Sequence, residues 1–209
     1  MAYEKFNKNI IFKLINKEKN TELLKTVPHK EYLDLAVIFY VVLSKDDESL
    51  KCKLITNEIF RDWVATVDML MEDAVENTPR LLGLKIRGIL TTLADILHDD
   101  DFKAVAEEED SDLPLYVVTN RNSMHGAAVL LYRDLLKAFA ARKKSDVYII
   151  PCSIHELIMI PTVECPGIDP QELKNLIYYV NRNELREDEF LSDNLYFYDV
   201  VKDEITIVD

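Results

Sequence analysis

The sequence predicts an α+β fold, a mixed and largely antiparallel sheet with three to five helices packed on it. Three observations predict it. Segments with strand patterning are short and come in neighbouring pairs, helical periodicity recurs between them, and 48% of the 209 residues are hydrophobic, enough to build a sizeable core. The chain is expected to form a single domain over residues 1–209 with a two-lobed organisation.

Residues 10–15 read as a short strand, and 35–43 is a continuous β-branched and aromatic run of the kind buried on both faces at the centre of a sheet. The polar cluster 44–49 has turn chemistry. Lys51, Cys52, Lys53 and Leu54 then alternate, which predicts a hairpin partner with one wet face. Thr56 or Asn57 caps a helical turn. From Thr66 the spacing of Val67, Leu70, Met71, Ala74 and Val75 predicts an amphipathic helix that Pro79 ends. A second helical stretch is expected over 81–97, with Gly83 and Gly88 weakening its continuity. Trp63 is expected to anchor the core, as are Tyr178 and Tyr179.

Residues 95–112 are the most biased segment. Asp99, Asp100, Asp101, Glu107, Glu108, Glu109, Asp110 and Asp112 face only Lys103, so self-repulsion predicts an extended acidic loop, 98–112, between the lobes. After it come a strand at 115–119, a helix over 123–142 with Met124, Ala127, Leu131, Leu135 and Phe139 on one face, and a strand at 147–150: a β-α-β unit. A tight connection through 151–155 leads to a strand at 157–160. Asp169-Pro170 places an N-cap before a proline in the first helical turn, so a helix runs to about 183. Residues 195–200 and 204–208 form a closing hairpin around Lys202-Asp203.

The net charge of −13 repels phosphate backbones, so direct nucleic-acid binding is disfavoured. The densest basic run, Arg142-Lys143-Lys144, sits where a helix ends and is accounted for by the helix dipole. No apolar run spans a bilayer and no secretory leader opens the chain, so no membrane contact and a cytoplasmic location are expected. Cys52, Cys152 and Cys165, an odd number, point to reduced thiols.

Two clusters could carry chemistry. Residues 119–126 join a strand to a helix, where free N–H groups can hold an anion, with Asn120, Arg121, His125 and Gly126 as ligand-binding candidates. Gly126 would permit close backbone approach, either to a ligand or to a neighbouring strand. In the second cluster Ser153, His155 and Glu156 are the catalytic candidates. Ser153 or Cys152 would be the nucleophile, His155 the base and Glu156 or Asp134 its orienter, with Asn120 and Arg121 holding an anion. Triads assemble from residues distant in sequence, so closeness along the chain counts for little. Cys152, His155 and Cys165 lack a fourth ligand in any zinc spacing, and neither a metal nor a cofactor is expected. Tyr196 and Tyr198 share a strand face that, if half exposed, could dock a partner.

From Asn9 onward the chain contains Lys13-Leu14-Ile15-Asn16, Val27-Pro28-His29, 33–37, Asn77-Thr78-Pro79-Arg80, 116–120, 126–132 and Ser153-Ile154-His155-Glu156 after Ile149-Ile150-Pro151. In these segments it resembles an uncharacterised family of gut anaerobic Firmicutes with no assigned activity. It implies a chain shortened at its N-terminus. It also implies a small residue where Cys152 stands, which argues against a role for that thiol. A fainter likeness in segment order links the family to another uncharacterised one. The function expected is that of a non-catalytic protein-interaction or regulatory factor with a protein partner. One alternative is an acidic nucleic-acid mimic acting through Asp99, Asp100 and Asp101. The other is a hydrolase or small-anion-binding module at 120–126 and 153–156.

Overall fold

The structure, a computed structural model, describes residues 3–45 and 50–209; the turn expected at 44–49 lies largely outside them. After α1 (Tyr3–Phe6) comes β1 (Ile10–Asn16), then α2 (Thr21–Leu24), β2 (His29–Tyr32), β3 (Leu35–Lys45) and β4 (Leu50–Leu54). These strands form a sheet with β3 at its centre. β1 pairs along one side of it, and β2 and β4 share the other, all antiparallel. Leu35–Val42, most of the apolar run of β3, is thereby buried on both faces, with Tyr40 half-buried, while Leu43 at its end is exposed.

α3 (Asn57–Arg61) and α4 (Val67–Leu82) follow, capped by Thr56 and Thr66, whose hydroxyls accept N–H bonds from Ile59 and Met69. Contrary to expectation, α4 runs past Pro79. The proline falls in the last turn, and the Gly83 amide, at φ +69°, closes the helix on the Pro79 carbonyl. α4 also covers the open edge of β1: Thr78 Oγ1 accepts from the Phe12 amide at 3.2 Å and donates to the Ala74 carbonyl. Trp63 packs edge-on against Tyr3 and stacks on Phe6, as an anchor should.

Where one helix was expected over 81–97 there are a strand and a helix, β5 (Lys85–Gly88) and α5 (Ile89–Leu97). Gly83 closes α4, two residues before that strand, and Gly88 is its last residue. The acidic stretch is likewise not an extended loop, because α6 (Asp100–Glu109) occupies most of it. Asp99 caps α6 by accepting from the Phe102 amide at 2.8 Å, and Asp100 and Asp101 sit in its first turn, where the dipole favours carboxylates. Asp95 is drawn in among Lys85, Arg87 and Lys103.

Asp110 reaches back to the start of α5 and accepts from the Leu90 and Thr91 amides at 2.8 and 3.0 Å. Gly88 leaves room for it, since a Cβ there would lie 2.0 Å from the Asp110 carboxyl carbon. The anion site of that helix start is thus filled by the chain's own carboxylate. Asp110→Ala is expected to cost about 1–2 kcal/mol and to speed hydrogen exchange at Leu90 and Thr91. Unchanged exchange at those amides would show that another group caps the helix.

The second sheet adds β6 (Tyr116–Thr119), β7 (Val147–Ile150), β8 (Leu157–Pro161), β9 (Tyr196–Asp199) and β10 (Glu204–Ile207). Its order is β10-β9-β7-β8-β6-β5, with every neighbouring pair antiparallel. β6 and β7 therefore run parallel with β8 between them, which makes the expected β-α-β unit a split one. Its connection is not one helix over 123–142. A 3-10 turn (Gly126–Leu131) is followed by a break at Asp134, φ +59°, and then by α7 (Leu135–Lys143). Gly126, Ala127 and Ala128 at its start are buried in the seam between the sheets. α8 (Pro170–Asn183) starts at Asp169 as expected.

Alternation along the strands separates two cores. Val147, Ile149, Leu157, Met159, Tyr196 and Tyr198 meet Phe12, Leu14, Val37 and Phe39 of the first sheet. Ile150 and Ile160 face the other way, under Leu173 and Ile177 of α8. The expected tyrosine face is therefore not half exposed. Tyr196 is fully buried and Tyr198 nearly so, because they fall on the face turned toward the first sheet. Tyr178 and Tyr179, expected in the core, are instead exposed on α8.

Candidate functional site

The two clusters read from the sequence meet in space. After β6 the chain turns through 120–125 around the buried side chain of Asn120, which donates to the Met124 carbonyl at 2.8 Å and accepts from the Asn122 and Met124 amides. Ser123 and His125 are held at positive φ by this knot. The loop then seats on 153–156. Thr119 Oγ1 donates to the His155 carbonyl at 2.7 Å, the Ala127 amide to the Ile154 carbonyl at 3.2 Å, and the His125 amide to His155 Nδ1 at 3.1 Å. Accepting at Nδ1 leaves Nε2 as the ring nitrogen that carries the proton, 3.7 Å from the Glu189 carboxylate. Gly126 occupies the seam, in contact with the backbone of both segments.

The catalytic candidates are not arranged as nucleophile and base. Ser153 is buried, and its Oγ accepts from the backbone amide of His155 at 2.9 Å, the turn-forming role of a serine. The His155 ring is committed to His125 and Glu189 rather than to Ser153. Burial pushes the Cys152 thiol up to about 12, which leaves it inert as a nucleophile near neutrality. Glu156 opens onto a separate cavity with Lys85, Arg87 and Asp95. Asp134 stands at the start of α7, and Arg121 lies across Gly83. Among the described residues no group of three or more His, Cys, Asp or Glu side chains is placed to hold a metal.

What the seam does border is a cleft of about 460 Å³ between the 120–125 loop, the end of α4 and the first sheet. Asn120, Asn122, Met124 and His125 line one wall, and Lys13, Tyr40 and Cys52 line the other. Strand alternation turns Lys13 away from the main core, into which Phe12 and Leu14 point. Its ammonium sits 4.1 Å above the Tyr40 ring. No carboxylate among the described residues pairs with it, and burial lowers its pKa. Burial first, and then nearby Lys13 and His155, lower His125 to about 4, so its ring is neutral near pH 7. His125 Nδ1 is buried with no hydrogen-bond partner among the described residues. Cys52 is pushed up by burial and stays a thiol.

His125 and Asn120 were legible as candidates in the sequence; Lys13, Tyr40 and Cys52 were not. The one available signal was Lys13 itself, a lone charge inside the apolar strand Ile10–Asn16.

The model of a family of unknown function, DUF5688, matches residues 1–200. The chain belongs to that family. The matched span takes in both walls of the cleft and both clusters of the seam, so the site is built wholly from family sequence. No curated protein and no solved structure matches the chain. Among the described residues, no helix is long and apolar enough to cross a membrane.

Proposed function

We propose that this protein is a non-catalytic regulatory factor of the cytoplasm that holds a small anionic ligand in the cleft at Lys13 and His125. The observation that carries this reading is Lys13. A half-buried ammonium with no carboxylate partner among the described residues is costly to keep, and an anion between it and the polar wall of Asn122 and His125 would repay that cost. The unpartnered Nδ1 of His125 adds a polar group whose hydrogen-bonding capacity is unspent within the chain. The inert Cys152 and the committed Ser153 support binding rather than turnover. Unpaired thiols at all three cysteines support a reducing compartment.

Thermal denaturation with inorganic phosphate, nucleoside monophosphates and dicarboxylates tests the reading. At a hundredfold excess over Kd a bound anion contributes about 2.7 kcal/mol, a rise of roughly 5–10 °C for a domain this size. Lys13→Met is expected to abolish the rise while leaving the ligand-free protein as stable or more so, because it removes a desolvated charge. The pH dependence has a definite sign. An anion beside the His125 ring raises its pKa above the free value of about 4, so binding takes up a proton. The ligand-induced shift therefore grows as the pH falls from neutrality toward that value. If no anion moves the transition, or if Lys13→Met responds like the parent chain, the cleft is not an anion site.

A further inference from the structure

β5 is the last strand of the second sheet and, among the described residues, is paired on one side only, to β6. Beside it, on the face turned to α7, runs a groove of about 450 Å³. Leu84 and Ile86 form one side of it and Leu135 and Phe139 the other, and both β5-side residues are more than a third exposed. The rim carries the cations that end α7, Arg142 and Lys143; Arg87, next to Ile86 on β5, turns its guanidinium to the other face of the sheet, onto Asp95. Among the described residues no carboxylate is part of the groove lining itself, in a chain whose formal charge is −13, and the nearest at the rim, Glu164, is bonded to Lys143 and Tyr116. Lys143 and Arg87 are already paired, to Glu164 and Asp95, whereas Arg142 has no ion pair among the described residues.

An unpaired strand edge, an adjoining apolar trough and a positive rim together specify an occupant. Main-chain groups of an extended segment satisfy the edge, alternate apolar side chains fill the trough, and carboxylates meet the rim. We propose that β5 and α7 form a docking groove for an extended, acidic and apolar peptide segment of a protein partner, which adds to the second sheet as a further strand. The groove shares no residue with the Lys13 cleft, and the proposal stands independently of the ligand proposed there.

The test is to pan a phage-displayed library of random short peptides on the folded full chain and to titrate synthetic copies of the enriched sequences by fluorescence anisotropy. Two variants separate the groove from the rest of the surface. Arg142→Glu reverses the uncommitted charge, and Ala138→Trp fills the trough; both positions are exposed on α7, and an unchanged melting temperature confirms that the fold is retained. The expected result is enrichment of sequences alternating apolar and acidic residues, with affinity falling about tenfold or more in either variant and as wild type in Lys13→Met. Failure to enrich any motif overturns the proposal, as does enrichment of basic peptides or equal binding by both variants. A dimer in sedimentation that Ala138→Trp dissociates would also overturn it, by showing that a second copy of the chain fills the groove.

Discussion

Gly126→Ala is expected to cost about 3 kcal/mol or more and to lower the melting temperature by roughly 6–12 °C, although it adds a single methyl group. The new Cβ would lie 1.9 Å from Thr119 Oγ1, 2.4 Å from the His155 carbonyl oxygen and 2.8 Å from the Asn120 amide nitrogen. The hydroxyl could rotate away, at the loss of its bond to His155. The two backbone atoms cannot move without parting the 119–126 and 153–156 segments. Removing the first obstacle in Thr119→Ala/Gly126→Ala is therefore expected to bring no recovery. Chemical denaturation reads both variants, and a midpoint within error of the parent would mean that the seam is looser than this packing. Any anion-induced stabilisation should fall with it, because His125 is held in the cleft wall by the same seam.

The second large effect is expected at Asp34, in the turn between β2 and β3. Its carboxylate accepts from Tyr196 Oη and from Ser192 Oγ, both at 2.6 Å, and so ties the first sheet to the second. Tyr196 and Ser192 are fully buried, and both burial and the Asp34 charge raise the tyrosine pKa, which keeps it a donor. Asp34→Ala strands two buried hydroxyls and is expected to cost about 2–4 kcal/mol. Tyr196→Phe removes a donor and its hydroxyl together and should cost less. In the double variant the two losses should not add, the shortfall being the coupling across the sheets. Full additivity in urea denaturation would mean that the two residues do not stabilise each other.

Much of the architecture was legible because it is local. β1, β3, the 169–183 helix and the closing hairpin follow from alternation, apolar runs and a cap, all of which act within a few residues. The acidic segment was misread for a physical reason. Self-repulsion averaged over 98–112 takes no account of where each carboxylate ends up. Asp99, Asp100 and Asp101 stand at a helix start that favours them, and Asp95 and Asp110 are spent on partners 19–20 residues or fewer away in sequence. The residues offered as surface of a nucleic-acid mimic are thus in part the cap and first turn of α6. Similarly, alternation placed Tyr196 and Tyr198 on one face but not which face. That depended on the first sheet, more than 140 residues earlier in the chain, packing against it.

The candidate site divides the same way. The sequence by itself determined an acidic α+β chain, most of its strands and helix caps, and the residue types at 120–126 and 153–156, because those follow from charge, period and turn chemistry along the chain. Only the tertiary structure decided that the two clusters form one seam, that Ser153 and His155 serve the backbone rather than each other, and that Lys13 faces His125 across a cleft. Those facts depend on strand register and sheet packing. Register brings together residues tens of positions apart and sheet packing sets Lys13 beside His125, more than a hundred positions along the chain, and no pattern of spacing encodes such contacts.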